Sequence, residues 1–281
     1  MKSIRELYKI GHGPSSSHTM GPQKACELFK ERYPEAVRYK VTLYGSLAMT
    51  GKGHLTDYVI EKTLGNVEVV FDDQQMFWHP NTLDITGYDN EGRIFFMRAY
   101  SVGGGSIRID GEDTDPAPEV YPHNFFEEIR SYCEEFKMSL SDYVRAFEDK
   151  DIMEFAGSIY DSMMSTIDRG LASEGVLPGE LHLKRKAKNL FKDMLPQESS
   201  EVTRTRMISA YAFATAEENA SAGIVATAPT CGSAGVVPAV LRFLRERDGY
   251  GREKCLEALL VAGIIGNVIK QNASISGAIA G

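Results

Sequence analysis

The rhythm of polar and apolar positions changes once along the chain, near residue 118. Before it, short alternating runs predominate. Tyr39–Tyr44 places apolar or aromatic side chains at every second position and predicts a strand, as does Val67–Phe71. Leu83–Tyr88 and Ile94–Val102 flank the turn Asp89-Asn90-Glu91-Gly92 and predict a hairpin. Two helical stripes interrupt these strands. One is Met20–Arg32, capped by Thr19, with Pro22 in its first turn and Ala25, Leu28 and Phe29 on one face. The other is Thr56–Leu64, closed by Gly65. The acidic, proline-bearing run from Asp110 to Pro118 predicts a linker. Beyond it a 3.6-residue period predicts helices over 123–136, 140–147, 150–169, 184–193, 201–217, 235–247 and 252–269, the third stopped by Gly170. The apolar run Ala222–Ala228 fits either a strand or a buried helix segment. The expected fold is an α+β domain over 1–118 followed by an all-α domain over 119–281.

Composition narrows the function. The chain has 281 residues, 43% hydrophobic and 25% charged, which is ordinary for a soluble globular protein. A net charge of −8 argues against nucleic acid, which needs a positive surface to displace counterions. The one dense basic run, Lys184–Lys188, has helical spacing and reads as a solvated helix face. No apolar run is long enough for a membrane span, and the charged start lacks the apolar core of a signal peptide. A cytoplasmic protein that binds neither nucleic acid nor membrane is expected. The four cysteines, Cys26, Cys133, Cys231 and Cys255, form no CxxC pair, so neither a structural zinc site nor a disulfide framework is expected.

Several segments could carry chemistry. Gly11–Pro22 is a hydroxyl-rich turn before a helix. Ser15, Ser16, Ser17 and Thr19 could hold a carboxylate beside the helix N-terminus, and His18 could move a proton. An elaborate helix cap would use the same residues. Tyr44–Asp57 is a glycine-rich loop after a strand, where small residues let a ligand approach His54 and Lys52; a tight surface turn is the plainer reading. His79 and Asn81 could meet the polar ends of an amino acid, or simply occupy a loop. The triple glycine Gly103–Gly105 suggests a phosphate cradle, though no helix start follows it. Thr227–Pro238, with Thr230, is a further anion pocket or a close helix contact. Lys270–Gly281 sets Asn272, Ser274 and Ser276 among small apolar residues. These features alone point to a small, anionic, hydroxyl-bearing ligand handled by histidines and helix ends.

Together the motifs resemble those of the bacterial iron–sulfur L-serine dehydratases. The match runs from Ser3 to Gly281. It rests on GPSSSHTMGP (13–22), YGSLAMTGKGH (44–54), YSVGGG (100–105), RGLASEGVLPG (169–179), ATAPTCGSAGVVPAVL (226–241) and NASISGA (272–278). The resemblance implies a β domain followed by a helical α domain and deamination of L-serine to pyruvate and ammonia. It also implies a [4Fe–4S] cluster as Lewis acid and a homodimer. On this basis His54 is the expected base, with His18 second. Ser15, Ser16, Ser17 and Thr19 would hold the carboxylate. Thr230, Asn272, Ser274 and Ser276 would line the pocket, and His79 and Asn81 would bind serine as a regulator or stabilise a domain interface. In the family the cluster cysteines follow the segment matched by 272–278. No cysteine here matches a ligand position, and Cys231 stands where many relatives have asparagine. The chain is therefore expected to be truncated, with no metal ligands of its own. Two other classes remain: a non-catalytic amino-acid-binding module, distinguished by binding without turnover, and a pyridoxal-phosphate dehydratase, for which no convincing Ser-x-Lys segment is found.

Overall fold

The computed structural model describes residues 1–75, 77–112, 117–192 and 198–273. The chain divides into two compact units, one spanning 12–116 and one comprising 1–11 and the chain from 117 onward. The expected single body over 1–118 thus loses its first eleven residues to the helical unit. The cause is apolar burial. Ile4, Leu7 and Tyr8 are buried in the helical core.

In chain order the elements up to the linker are β1 (Ile10–His12), α1 (Gly21–Arg32), β2 (Arg38–Tyr44), α2 (Gly45–Thr50), α3 (Thr56–Leu64), β3 (Val67–Asp72), β4 (Thr82–Tyr88), β5 (Ile94–Gly103) and β6 (Ser106–Ile109). Strands β2 to β6 form one sheet in the order β3-β2-β4-β5-β6. The β2–β3 pair is parallel, and the others are antiparallel. The period-2 pattern of β2 decides which face is covered. Tyr39, Val41 and Leu43 join Leu83, Ile85, Met97 and Ala99 beneath Ala25, Cys26 and Phe29 of α1 and Ile60 and Leu64 of α3.

Three local expectations change. Helix α1 starts at Gly21, after a turn over Ser16–Met20 with π-type hydrogen bonds, in which the Met20 N–H donates to the Ser15 carbonyl at 3.1 Å. The capping side chain is Ser15, not Thr19: the Ser15 Oγ accepts the His18 N–H. The glycine-rich stretch after β2 contains helix α2. Gly45, at φ +53°, turns the chain, and the Ser46 N–H donates to the Pro80 carbonyl at 2.7 Å. The triple glycine is a hairpin turn. All three residues have positive φ and fold the chain back into β6, a strand missed by pattern alone.

The helical unit contains α4 (Phe126–Phe136), α5 (Leu140–Phe147), α6 (Ile152–Ala172), α7 (Ala187–Lys192), α8 (Ser200–Ala220), β7 (Ile224–Ala226), α9 (Val236–Arg247) and α10 (Arg252–Asn272). The ambiguous run after α8 is the strand β7, which pairs with β1. Gly170 does not stop α6. A Cβ there would lie 2.2 Å from the Ala214 carbonyl oxygen, so the glycine lets α6 press directly on α8. The chain start is stitched in by polar bonds as well as packing. The Tyr8 hydroxyl donates to the Leu259 carbonyl at 2.9 Å, and the Thr227 hydroxyl donates to the Leu7 carbonyl at 2.7 Å. Among the described residues, no helix is long and apolar enough to cross a membrane.

Candidate functional site

Two segments of the sheet unit bring His18 and His54 together. His18 lies in the turn before α1, and His54 in the loop between α2 and α3. Their ring centroids are 4.7 Å apart. Both segments are anchored through their backbones. The Thr19 hydroxyl donates to the His54 carbonyl at 2.8 Å, the Thr56 hydroxyl to the His18 carbonyl at 2.6 Å, and the Ser101 hydroxyl to the Ser17 carbonyl at 2.7 Å.

The two imidazoles differ in environment. His18 is buried, with Nδ1 2.9 Å from the Ser17 Oγ and Nε2 3.0 Å from the Ser46 Oγ. Burial, reinforced by His54, lowers its pKa to about 4, so it is neutral around pH 7. His54 is half-buried, and its Nδ1 lies 2.9 Å from the Thr50 carbonyl oxygen. A carbonyl only accepts, so Nδ1 carries the proton and Nε2 of the neutral ring is the basic nitrogen. Hydroxyls cluster beside the pair: the Ser15 Oγ is 3.4 Å from the Ser17 Oγ, and Ser16 is half-buried in the same turn. Chemically, the arrangement can accept a proton at His54 and offer hydroxyl hydrogens to an anion.

Thr19 departs from its expected role. It is fully buried; its one hydroxyl hydrogen goes to the His54 carbonyl, and its oxygen accepts the Ser15 N–H at 3.2 Å. No donor remains for a carboxylate. Sequence reasoning missed Ser46 as the partner of His18. The signal was a hydroxyl in the first turn after a strand, but its partner lies 28 residues away.

The remaining candidates lie elsewhere. His79 and Asn81 precede β4 in the sheet unit. The Asn81 N–H donates to the His79 Nδ1 at 3.1 Å, and the Asn81 Nδ2 donates to the Ser101 carbonyl at 3.3 Å. The Asn81 Oδ1 is buried without a hydrogen-bond partner among the described residues, and burial lowers the His79 pKa. Thr230 belongs to the helical unit, where its hydroxyl lies 3.0 Å from the Ser233 Oγ. Asn272 ends α10, its Nδ2 donating to the Asn124 and Val268 carbonyls at 2.8 and 2.9 Å. Ser274 and Ser276 lie outside the described residues.

Cys26, Cys133, Cys231 and Cys255 are buried. Burial pushes the Cys231 thiol up to about 12 and raises Cys26 and Cys133 as well. Among the described residues, no group of three or more His, Cys, Asp or Glu side chains is placed to hold a metal. The dispersed, buried thiols do not fit an iron–sulfur cluster, which needs converging thiolates.

A basic imidazole nitrogen beside a buried neutral imidazole and a row of serine hydroxyls suits a lyase or hydrolase acting on a small polar acid. Comparison with known proteins narrows the class: the chain belongs to the serine dehydratase alpha chain family, whose model matches residues 46–281. The serine dehydratase beta chain model matches residues 3–68. L-serine dehydratase 2 of Escherichia coli is 33% identical over 339 aligned residues, covering 99% of this chain and 74% of that protein. The L-serine dehydratase of Streptomyces coelicolor is 34% identical, with 98% and 73% covered, and that of Helicobacter pylori strain 26695 is 31% identical, with 99% and 74% covered. The 339 aligned positions exceed the 281 residues of this chain, so the Escherichia coli relative carries internal residues without a counterpart here.

Proposed function

We propose that the chain is an L-serine dehydratase that converts L-serine to pyruvate and ammonia. The observation that carries this reading is the His18–His54 pair among serine hydroxyls, in a chain related throughout its length to L-serine dehydratases. Ser15, Ser16 and Ser17 bind the substrate carboxylate as neutral donors at the start of the helix. Ser46 and Ser17 hold the His18 ring in place. His54 takes the Cα proton of serine at Nε2. The electron pair left on Cα forms the Cα=Cβ bond, and the Cβ–O bond breaks. The hydroxyl departs as water with a proton from solvent, and His54 returns the Cα proton to solvent to close the cycle. The resulting aminoacrylate tautomerises to an imine, which water hydrolyses to pyruvate and ammonia. The neutral state of His18 matters here, because a charged neighbour would oppose protonation of His54.

The family resemblance implies a [4Fe–4S] cluster that assists the hydroxyl's departure. The described residues supply no ligand set for one. His79 and Asn81 form a second polar site, in which the unpartnered Asn81 Oδ1 can accept from the ammonium of an amino acid. L-serine is its proposed occupant, as a regulator.

The test is L-serine titration of the chain labelled with 15N in its histidine rings. Saturable shifts at both His18 and His54, lost on Ser17→Ala, are expected. Rings that ignore L-serine would overturn the proposal.

A further inference from the structure

The loop that carries His54 is held in a conformation its own residues disfavour. Leu55 sits at φ 55°, ψ 33°, in the left-handed region. A leucine there brings its Cβ against the following carbonyl, and such strain persists only where the surroundings over-determine it. Local hydrogen bonds close the loop: His54 N–H to the Gly51 carbonyl at 3.0 Å, Leu55 N–H to Lys52 at 3.2 Å and Thr56 N–H to Gly51 at 2.9 Å. These bonds define the turn but do not tie it to the segment bearing His18.

Two threonines do. Thr19 follows His18 and donates to the carbonyl of His54; Thr56 follows Leu55 and donates to the carbonyl of His18. Each histidine's backbone is thus held by a hydroxyl from the other's segment. Both threonines are fully buried. A threonine hydroxyl has one hydrogen, so neither can also donate to a substrate. Their β-branched χ1 keeps the hydroxyl aimed. The space beside Thr56 is closed as well: a Cβ on Gly51 would lie 3.2 Å from the Thr56 Oγ1 and 2.2 Å from the Leu47 carbonyl oxygen.

We infer that Thr19 and Thr56 are positioning residues: their reciprocal clasp holds Leu55 left-handed and keeps the His54 Nδ1–H on the Thr50 carbonyl, leaving Nε2 free to take a proton. The inference rests on the reading of His54 as the base.

The test reads the tautomer of His54 by 15N–1H correlation of the imidazoles in the full chain. In the unmodified protein His54 should show a single Nδ1–H tautomer. Thr19→Val and Thr56→Val keep the shape and delete the hydroxyl; each should give the mixed tautomers of a free imidazole. Thr19→Ser and Thr56→Ser keep the donor and should retain the single form. Where turnover is measured, the valine variants should lose kcat by roughly 10²-fold with KM little changed, the mark of a misplaced reacting group. Folded valine variants with a single His54 tautomer, or serine variants with a mixture, would overturn the inference. If Thr56→Val does not fold, the double variant Leu55→Gly/Thr56→Val should, because glycine adopts the left-handed conformation without steric cost. It should recover the single tautomer, and a mixture there would also overturn the inference. Failure of the dehydratase reading appears separately, as rings that ignore L-serine while their tautomers still respond to the clasp.

Discussion

Acid should loosen the unit that carries the histidine pair, with His18 as a main cause. The residue is 9% exposed, and burial lowers its pKa from 6.5 to about 4. The folded-state value lies below the unfolded one. Between these two values the unfolded chain therefore binds a proton that the folded chain refuses. The contribution is harmless above about pH 7, and stability falls as pH drops through the window. Linkage converts the shift into a loss of about 2.5 kcal/mol by about pH 4.5 and about 3 kcal/mol at its limit. The chain has one tryptophan, Trp78, in the same unit and 67% exposed beside Tyr100, so its fluorescence follows unfolding of that unit. Urea titrations between about pH 7.5 and 4.5 should be run on the unmodified chain and on His18→Gln. Near neutral pH the variant should be less stable by roughly 1–2 kcal/mol, having lost the bonds to Ser17 and Ser46. The variant cannot take up the proton, so its disadvantage should close or reverse at the acid end, a relative change of about 2.5 kcal/mol. A gap that stays constant with pH would refute the assignment of a buried neutral His18.

Other outcomes follow from particular contacts. Gly170→Ala should destabilise the helical unit by about 1–3 kcal/mol despite alanine's better helix propensity, because its Cβ would meet the Ala214 backbone; thermal unfolding followed by far-UV circular dichroism measures it. Arg185→Ala should cost about 3 kcal/mol, since Glu218 is buried and Arg185 donates to its Oε1 at 2.9 Å, whereas the other arginine beside it among the described residues, Arg169, is 3.4 Å away; urea unfolding of the helical unit tests it. Where turnover is measured, His54→Gln should lower kcat by about 10²–10⁴-fold, and near-normal turnover would remove it as the base. The 281-residue chain, incubated anaerobically with iron and sulfide, should retain no stoichiometric cluster by iron analysis and absorbance, because its thiols are dispersed and buried.

Elements with a long and unambiguous periodicity were legible in the residues alone. Helix α3 and strand β2 are read from pattern within a residue, because each buries one face and the alternation records which one. The hydroxyl-histidine segment 13–22 and the loop 44–54 were legible as chemistry from their residue types, and the family was legible from their order with four further motifs. Tertiary structure decided the rest. Whether Gly170 ends a helix or admits a neighbour depends on α8, 44 residues away in Ala214, and no local signal carries that. Whether residues 1–11 follow the sheet or the helices depends on which core accepts Ile4, Leu7 and Tyr8. In sequence Thr19 reads equally well as a cap or a carboxylate donor; only the fold puts its hydroxyl on the His54 carbonyl, at 2.8 Å. Hydrogen-bond partners distant in sequence leave no periodic trace, because a hydroxyl's role depends on what folds against it.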